Sequence, residues 1–185
     1  MLNRRGLLKL SGAATVASLL PSITNATSPT PKGPFRLCFN TSTIMGQKPG
    51  LLAAIEIAAK AGYDGLELWI NDIRDYIKQG NTIESLAKFI SSKGLAVENL
   101  ISFTAWMVDD DNKRKAALTE LEGEMKLMAV LACPRIAAPP AGVEKGKPLD
   151  FQKAGDRYRE IIALGRKYNV MPQLEFWGAS GTLHN

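Results

Sequence analysis

The chain has 185 residues, of which 45% are hydrophobic and 22% are charged, and its formal net charge is +5. Arg4, Arg5 and Lys9 lie near the start with no acidic residue beside them, so the remainder of the chain carries a formal charge of about +2. A charge this small gives no reason to expect binding to nucleic acid or to an acidic membrane.

The first 26 residues resemble an export signal. The segment "NRRGLLK" at 3–9 contains two adjacent arginines, as twin-arginine (Tat) signals do, and a moderately apolar stretch follows at 10–20. This stretch is shorter than the roughly 18 residues that a membrane-spanning helix needs, which disfavours a membrane anchor; a basic, disordered N-terminus is the other alternative. We therefore predict a signal peptide at 1–26 and a Pro-, Ser- and Thr-rich linker at 27–34. The protein is expected in the periplasm or another extracytoplasmic location, without stable membrane insertion after cleavage.

Strands and helices alternate along the remaining residues, 35–185. The predicted strands cover 35–40, 64–70, 95–101, 134–140 and 170–177. The predicted helices cover 49–63, 82–94, a long segment ending near Leu131, and 150–169. This alternation indicates a parallel sheet with helices packed outside it.

Three consecutive aspartates, Asp109, Asp110 and Asp111, precede the dense basic run "NKRK" at 112–115. Aspartate is favoured at the start of a helix, where its side chain caps backbone amides and complements the helix dipole. We therefore interpret the cluster as the capped start of the long helix rather than as a metal site.

The two cysteines, Cys38 and Cys133, lie in or beside two different predicted strands. They lack metal-ligand spacing and a nearby histidine, which argues against a cysteine-bound metal. A disulfide is permitted in an exported protein, but small core residues are the better interpretation.

Two parallel architectures fit the pattern: an open, doubly wound sheet of five strands, and part of a (β/α)8 barrel. The segment after the first strand, "NTSTIMGQKPG", lacks the glycine-rich phosphate loop common in open sheets. The motifs "LELW" (66–69) and "LEFW" (174–177) both alternate leucine or phenylalanine with a carboxylate and an indole. A sheet covered on both faces is normally apolar on both, whereas strand ends that line a barrel site can be polar. We therefore predict the barrel, of which about five units are present.

The segments "AAKAGYDGLELW", "SKGLAVENLISF" and "RKYNVMPQLEFWG" resemble the xylose isomerase-like (β/α)8 barrels, a superfamily of sugar isomerases and epimerases with endonuclease relatives. The resemblance covers residues 35–185 and implies one divalent ion, bound by a Glu at the tip of strand five and by an Asp, a His and a Glu from strands six to eight. Glu175 corresponds to the first of these ligands. An eight-unit barrel needs about 250 residues, so the sequence is expected to be the N-terminal part of a longer protein or a truncated gene product.

The resemblance implies proton transfer next to a sugar carbonyl, through an enediolate, with Glu175 as both catalytic base and metal ligand. A divalent ion such as Mn, Mg, Co or Zn would neutralise charge on the substrate oxygens. Secondary candidates for contact with the sugar are strand-end polar groups, indoles that can stack on a sugar ring, and the only histidine: Asn40, Glu67, Trp69, Trp106, Trp177 and His184. Glu67 can equally form a structural ion pair, the indoles can be core or rim packing, and His184 can simply be exposed.

Three functional classes follow from these residues. The leading one is a metal-dependent isomerase or epimerase acting on a sugar or sugar phosphate. The alternatives are a metal-dependent, endonuclease-type phosphodiesterase of the same fold, and a non-catalytic carbohydrate-binding remnant. The expected partner is a small sugar rather than nucleic acid, and a homo-oligomer is left open.

Overall fold

The computed structural model describes residues 34–143 and 149–175. The predicted signal peptide lies outside this part, as does the linker up to residue 33. Residues 176–185, including the end of the predicted fifth strand, also lie outside it.

Five strands form one sheet, side by side in the order in which they occur along the chain, and every neighbouring pair is parallel. The strands are β1 (Cys38–Asn40), β2 (Gly65–Trp69), β3 (Ala96–Ile101), β4 (Arg135–Ala138) and β5 (Met171–Leu174). The helices are α1 (Leu51–Lys60), α2 (Ile70–Lys78), α3 (Ile83–Ser92), α4 (Asp111–Val130) and α5 (Phe151–Arg166). A 3-10 helix at Thr41–Gln47 follows β1. This is the strand order of a partial (β/α)8 barrel, which confirms the predicted fold class.

Side-chain caps start three of the helices. Thr82 accepts a hydrogen bond from the backbone N–H of Ser85 over 3.1 Å and forms a capping box with it. Asp110 and Asp150 cap α4 and α5 in the same way, each accepting a backbone N–H three residues later. The predicted capping role of the aspartate cluster is therefore confirmed at Asp110.

Two helices were not predicted, the 3-10 helix after β1 and helix α2. Helix α2 begins at Ile70, which the sequence analysis assigned to the second strand. Ile70 and Ile73 are buried, one helical turn apart, between charged neighbours. Ile70, Ile73 and Ile77 have helical spacing, but the helix is short and its first residue was assigned to the preceding strand, so it was not predicted. None of the helices in the described ranges is long and apolar enough to span a membrane.

The two faces of the sheet differ sharply in composition. The face that packs against the helices carries side chains with 0–1% exposure, including Leu66, Leu68, Leu100 and Ile136. Glu67 and Trp69 alternate with these leucines and lie half-buried on the opposite, inner face. The alternation from which the barrel was predicted is therefore present in the structure.

A bulge in β3 places a second polar side chain beside Glu67. The register shifts between Leu66 and Glu67, so that Leu66 pairs with Val97 while Glu67 pairs with Asn99. The extra residue is Glu98, whose side chain lies over Gly65: a Cβ atom at Gly65 would come within 2.5 Å of its Cγ. Glycine at position 65 thus leaves room for the bulge.

The outer strands β1 and β5 each have one unpaired side within the described residues. Apolar side chains at these edges are exposed, with Leu37 at 60% and Met171 at 52%.

Cys38, in β1, is also exposed, so the prediction that it is a core residue is wrong; the prediction holds for Cys133, which is 2% exposed. The physical reason is that Cys38 lies on the inner face of an edge strand, where no helix covers it.

Candidate active site

The carboxyl ends of parallel strands meet at one end of a sheet, which is where active sites of such barrels lie. On the inner face at this end, the structure brings together Asn40 at the end of β1, Glu67 and Trp69 in β2, and Asn99 in β3. Glu175 directly follows β5 at the same end. Three of the predicted site residues are therefore neighbours, and Asn99 is a fourth residue that the sequence analysis missed.

Glu67 is held by two side-chain amides, one on each carboxylate oxygen. Asn99 Nδ2 donates to Oε1 over 2.7 Å, and Asn40 Nδ2 donates to Oε2 in a short hydrogen bond. Both partners are neutral, so the structural ion pair proposed as the alternative for Glu67 is not formed, and its contact with a sugar hydroxyl stays a prediction. Glu67 therefore links three adjacent strands, β1, β2 and β3, through its two carboxylate oxygens.

Asn40 also connects Glu67 to the indole of Trp69. Its Oδ1 accepts from Trp69 Nε1 over 3.1 Å and from the backbone N–H of Ser42 over 2.9 Å. The second bond caps the 3-10 helix after β1. Asn40 therefore connects Glu67, Trp69 and the 3-10 helix. This capping role was not predicted because the 3-10 helix was not predicted.

Trp69 packs against a second aromatic ring on the same face. Its ring centroid lies 5.8 Å from that of Phe103, with the planes tilted by 32°. Phe103 is 39% exposed, in contrast to Ser102 and Thr104 on either side of it, which are 3% and 7% exposed. Phe103 was not among the predicted site residues, although the alternation of β3, continued past Ile101, places it on the inner face.

Trp106 lies in a different environment from Trp69. It is 3% exposed, its indole N–H donates to the carbonyl of Pro139 over 2.8 Å, and its ring packs 5.9 Å from Tyr158. A ring enclosed in this way has no open face for a sugar. The burial of Trp106 therefore favours the packing alternative over stacking on a sugar, because the residue packs between the loops after β3 and β4.

Glu175 is half-buried at the end of β5. Trp177 and His184 lie outside the described residues, so their predicted contacts stay predictions. Within residues 34–143 and 149–175, no group of three or more His, Cys, Asp or Glu side chains is placed to hold a metal ion. The predicted role of Glu175 as a metal ligand stays a prediction.

The opposite end of the inner face is built from ion pairs. Glu98 Oε2 lies 2.6 Å from the guanidinium of Arg135, and Glu98 Oε1 lies 2.9 Å from that of Arg36. Here the carboxylate is bound by cations, whereas Glu67 at the carboxyl end is bound by amides.

The fold and this strand-end arrangement define a parallel β/α barrel protein. Residues 55–184 match the family described as the xylose isomerase-like TIM barrel, and the chain belongs to this family. The predicted superfamily is therefore confirmed. No curated protein matches the chain closely enough to be compared.

Solved structures with the same fold include a zinc-binding protein, an epimerase and a dehydratase. The IOLI protein with a bound zinc atom aligns with a TM-score of 0.70 at 24% identity, covering 78% of this chain and 52% of that one. The probable 3-DHS dehydratase from Bacillus anthracis aligns with a TM-score of 0.62 at 17% identity, covering 76% and 52%. D-psicose 3-epimerase with D-tagatose from Clostridium cellulolyticum H10 aligns with a TM-score of 0.54 at 19% identity, covering 64% and 44%. At these identities the likeness shows the fold, and the chain spans about half the length of the structures it matches.

Proposed function

We propose that the protein is a metal-dependent isomerase or epimerase that acts on a sugar or sugar phosphate by proton transfer next to a carbonyl. The observation that carries the proposal is the polar carboxyl end of the inner face, where Glu175 follows β5 and Glu67 is fixed by Asn40 and Asn99. Family membership supports this interpretation, as does the fold shared with an epimerase. Since the chain spans about half of the structures it matches, the activity is proposed for the complete barrel.

A divalent ion would supply electrostatic stabilisation of charge that develops on the sugar oxygens. Of the described residues, Glu175 is the one proposed to hold it. Glu67 is a poorer ligand because both of its oxygens already accept hydrogen bonds from amides. The carboxylate of Glu175 fits a hard cation, and the zinc-binding structure of the same fold is consistent with a metal.

Glu175 is also proposed to take the proton from the carbon next to the carbonyl and to return it. A carboxylate can do both when it lies within hydrogen-bonding distance of that carbon and its pKa lies near the ambient pH. Trp69, at the carboxyl end of β2, offers an apolar ring for the C–H face of the sugar. Glu67 would keep Asn40 and, through it, the indole of Trp69 in place.

The test is hydrogen exchange at the sugar carbon in D₂O, followed by NMR with D-tagatose as the probe and Mn²⁺ added. We expect the wild-type barrel to replace this hydrogen with deuterium, and Glu175→Gln to abolish the exchange while the far-ultraviolet circular dichroism stays native. Glu160→Gln, which removes an exposed carboxylate on α5, is the matched control and should leave the exchange unchanged. Exchange that persists in Glu175→Gln would refute the catalytic assignment, and no exchange by the wild type would refute the proposed reaction.

We also propose that the protein is exported by a twin-arginine signal and acts in the periplasm. The support is the sequence of residues 3–20, in which Arg4 and Arg5 precede a short apolar stretch. Replacing both arginines with lysine should retain the full-length chain in the cytoplasm, as measured by cell fractionation and immunoblotting. Unchanged periplasmic protein in that double variant would contradict the proposal.

A further inference from the structure

The loop between β3 and α4, residues 102–110, contains alternating buried polar and exposed apolar side chains at its start. Ser102 and Thr104 are almost fully buried, and Phe103 between them is the exposed residue that packs on Trp69. Hydroxyl groups are costly to bury without partners, so their burial indicates that something specific binds them.

That partner is Glu124, a carboxylate in the middle of α4 with 2% exposure. Thr104 Oγ1 donates to Glu124 Oε2 over 3.1 Å, and Ser102 also forms a side-chain hydrogen bond with this carboxylate. The hydroxyls of Ser102 and Thr104 lie 2.8 Å apart, and the N–H of Thr104 donates to Ser102 Oγ over 3.2 Å. Four polar groups thus form one closed network directly behind Phe103.

The charge of Glu124 is compensated from helix α2. Arg74 Nη2 lies 2.8 Å from Glu124 Oε1 and 2.7 Å from Glu120 Oε1. A buried carboxylate costs several kcal/mol unless it is paired and fully hydrogen-bonded, and this one is both. Glu120 shares the same cation but is 49% exposed, so it offers a control on the same helix.

The far end of the loop is fixed independently by helix α5. Arg157 donates from Nη1 to the carbonyl of Met107 over 2.5 Å and from Nη2 to Asp109 over 2.8 Å. Gly142 also packs closely there, since a Cβ atom would come within 2.8 Å of the backbone N of Val108. The loop is therefore held at both ends, and the Glu124 network is the part nearest the candidate site.

We propose that Glu124 is a positioning residue for ligand binding. It holds Ser102 and Thr104, which direct Phe103 onto Trp69, and the two rings form one apolar wall of the site. The wall joins the polar network through the Trp69 indole, which donates to Asn40, and Asn40 donates to Glu67. The identity of the ligand as a sugar rests on the proposed function. The positioning of Phe103 by Glu124 is independent of the proposed function.

The first test needs no ligand and uses the ¹⁵N-labelled full-length chain. The reporter is the indole N–H resonance of Trp69, assigned from its disappearance in Trp69→Phe, because it senses both the ring of Phe103 and the bond to Asn40. Thr104→Val and Glu124→Gln should shift this resonance. Thr104→Ser, which keeps the hydroxyl, and Glu120→Gln, which removes a carboxylate that does not contact the loop, should leave it unchanged.

The outcome that overturns the proposal is an unshifted Trp69 resonance in a folded Thr104→Val variant. A shift of equal size in Thr104→Ser or Glu120→Gln would also overturn it, since the effect would then not depend on the network. Should Glu124→Gln fail to fold, Thr104→Val decides the question, because valine has nearly the shape of threonine and carries a methyl group in place of the hydroxyl.

The second test measures the apolar wall directly. Titration of the same chain with D-tagatose should show affinity about two- to tenfold weaker in Phe103→Ala than in the wild type, the range expected for loss of one aromatic contact. Unchanged affinity would remove Phe103 from the site. If the wild type exchanges deuterium but Thr104→Val leaves the Trp69 resonance unshifted, only the positioning role is refuted. If Thr104→Val shifts the resonance but the wild type shows no exchange, only the proposed reaction is refuted.

Discussion

The two ends of the inner face hold their carboxylates in different ways. At the amino end Glu98 lies between Arg36 and Arg135, so its charge is balanced by cations. At the carboxyl end the partners of Glu67 are the amides of Asn40 and Asn99, which orient the carboxylate without cancelling its charge. The carboxylates at the two ends therefore differ in their partners: two cations surround Glu98, whereas two neutral amides hold Glu67.

The largest loss of stability is expected from Glu67→Leu, which removes the carboxylate at the carboxyl end. The substitution leaves two amide groups without an acceptor, so we expect the free energy of unfolding to fall by about 3 kcal/mol, measured by urea denaturation. Glu67→Gln retains one acceptor oxygen and should lose about half as much. A stability unchanged by Glu67→Leu would show that the amides do not depend on the carboxylate.

A smaller loss is expected from Glu98→Gln at the other end. Its two ion pairs are partly exposed, with side-chain exposures of 62% for Arg36 and 39% for Arg135, so solvent screening reduces their contribution to about 1–2 kcal/mol. The control is Glu56→Gln, which removes a surface pair with Lys93 and should have almost no effect. Equal losses of stability in Glu98→Gln and Glu56→Gln would mean that the ion pairs of Glu98 contribute no more than a surface ion pair.

A thiol reagent can measure whether the inner face is accessible to solvent at its amino end, where Cys38 lies. Burial raises the pKa of Cys133 to about 11, so it holds almost no thiolate at neutral pH, and its side chain is inaccessible. The pKa of Cys38 is also raised, chiefly by burial, but its side chain is exposed. We expect a maleimide to modify one thiol rapidly in the folded chain and Cys38→Ser to remove that phase; rapid modification of Cys133 instead would contradict the structure.

The smallest change in stability is expected at Asp109, in the loop that follows the carboxyl end of β3. Hydrogen bonds from Lys153 and Arg157 lower its pKa to about 2. A carboxyl group with a lowered pKa stabilises the folded state above its ordinary pKa, and this contribution is lost as the pH falls through about 2. Between pH 4 and pH 2 the wild type should therefore lose more stability than Asp109→Asn, as measured by urea denaturation, and equal losses would exclude the contribution.

Much of the fold could be predicted because local patterns encode it. The alternation of Leu66 and Leu68 with Glu67 and Trp69 predicts which face packs against the helices, and the structure confirms it. Thr82 marks a helix start through its own side chain, independently of the rest of the fold.

The candidate site was predictable only in part, since its contacts join residues far apart in the chain. Asn99 comes beside Glu67 through a bulge, and a bulge leaves no periodic signal. Trp69 and Trp106 look alike in the sequence, yet one is half-buried on the inner face and the other is enclosed between two loops.

The sequence by itself determined the order of strands and helices, the apolar face of each strand and the family to which the chain belongs, because these depend on spacing along a single segment. Only the tertiary structure decided which polar groups meet: the amides on Glu67, the carboxylate behind Phe103 and the cations around Glu98. Each of these contacts joins residues about 20 or more positions apart, and their distances depend on how neighbouring strands and helices pack.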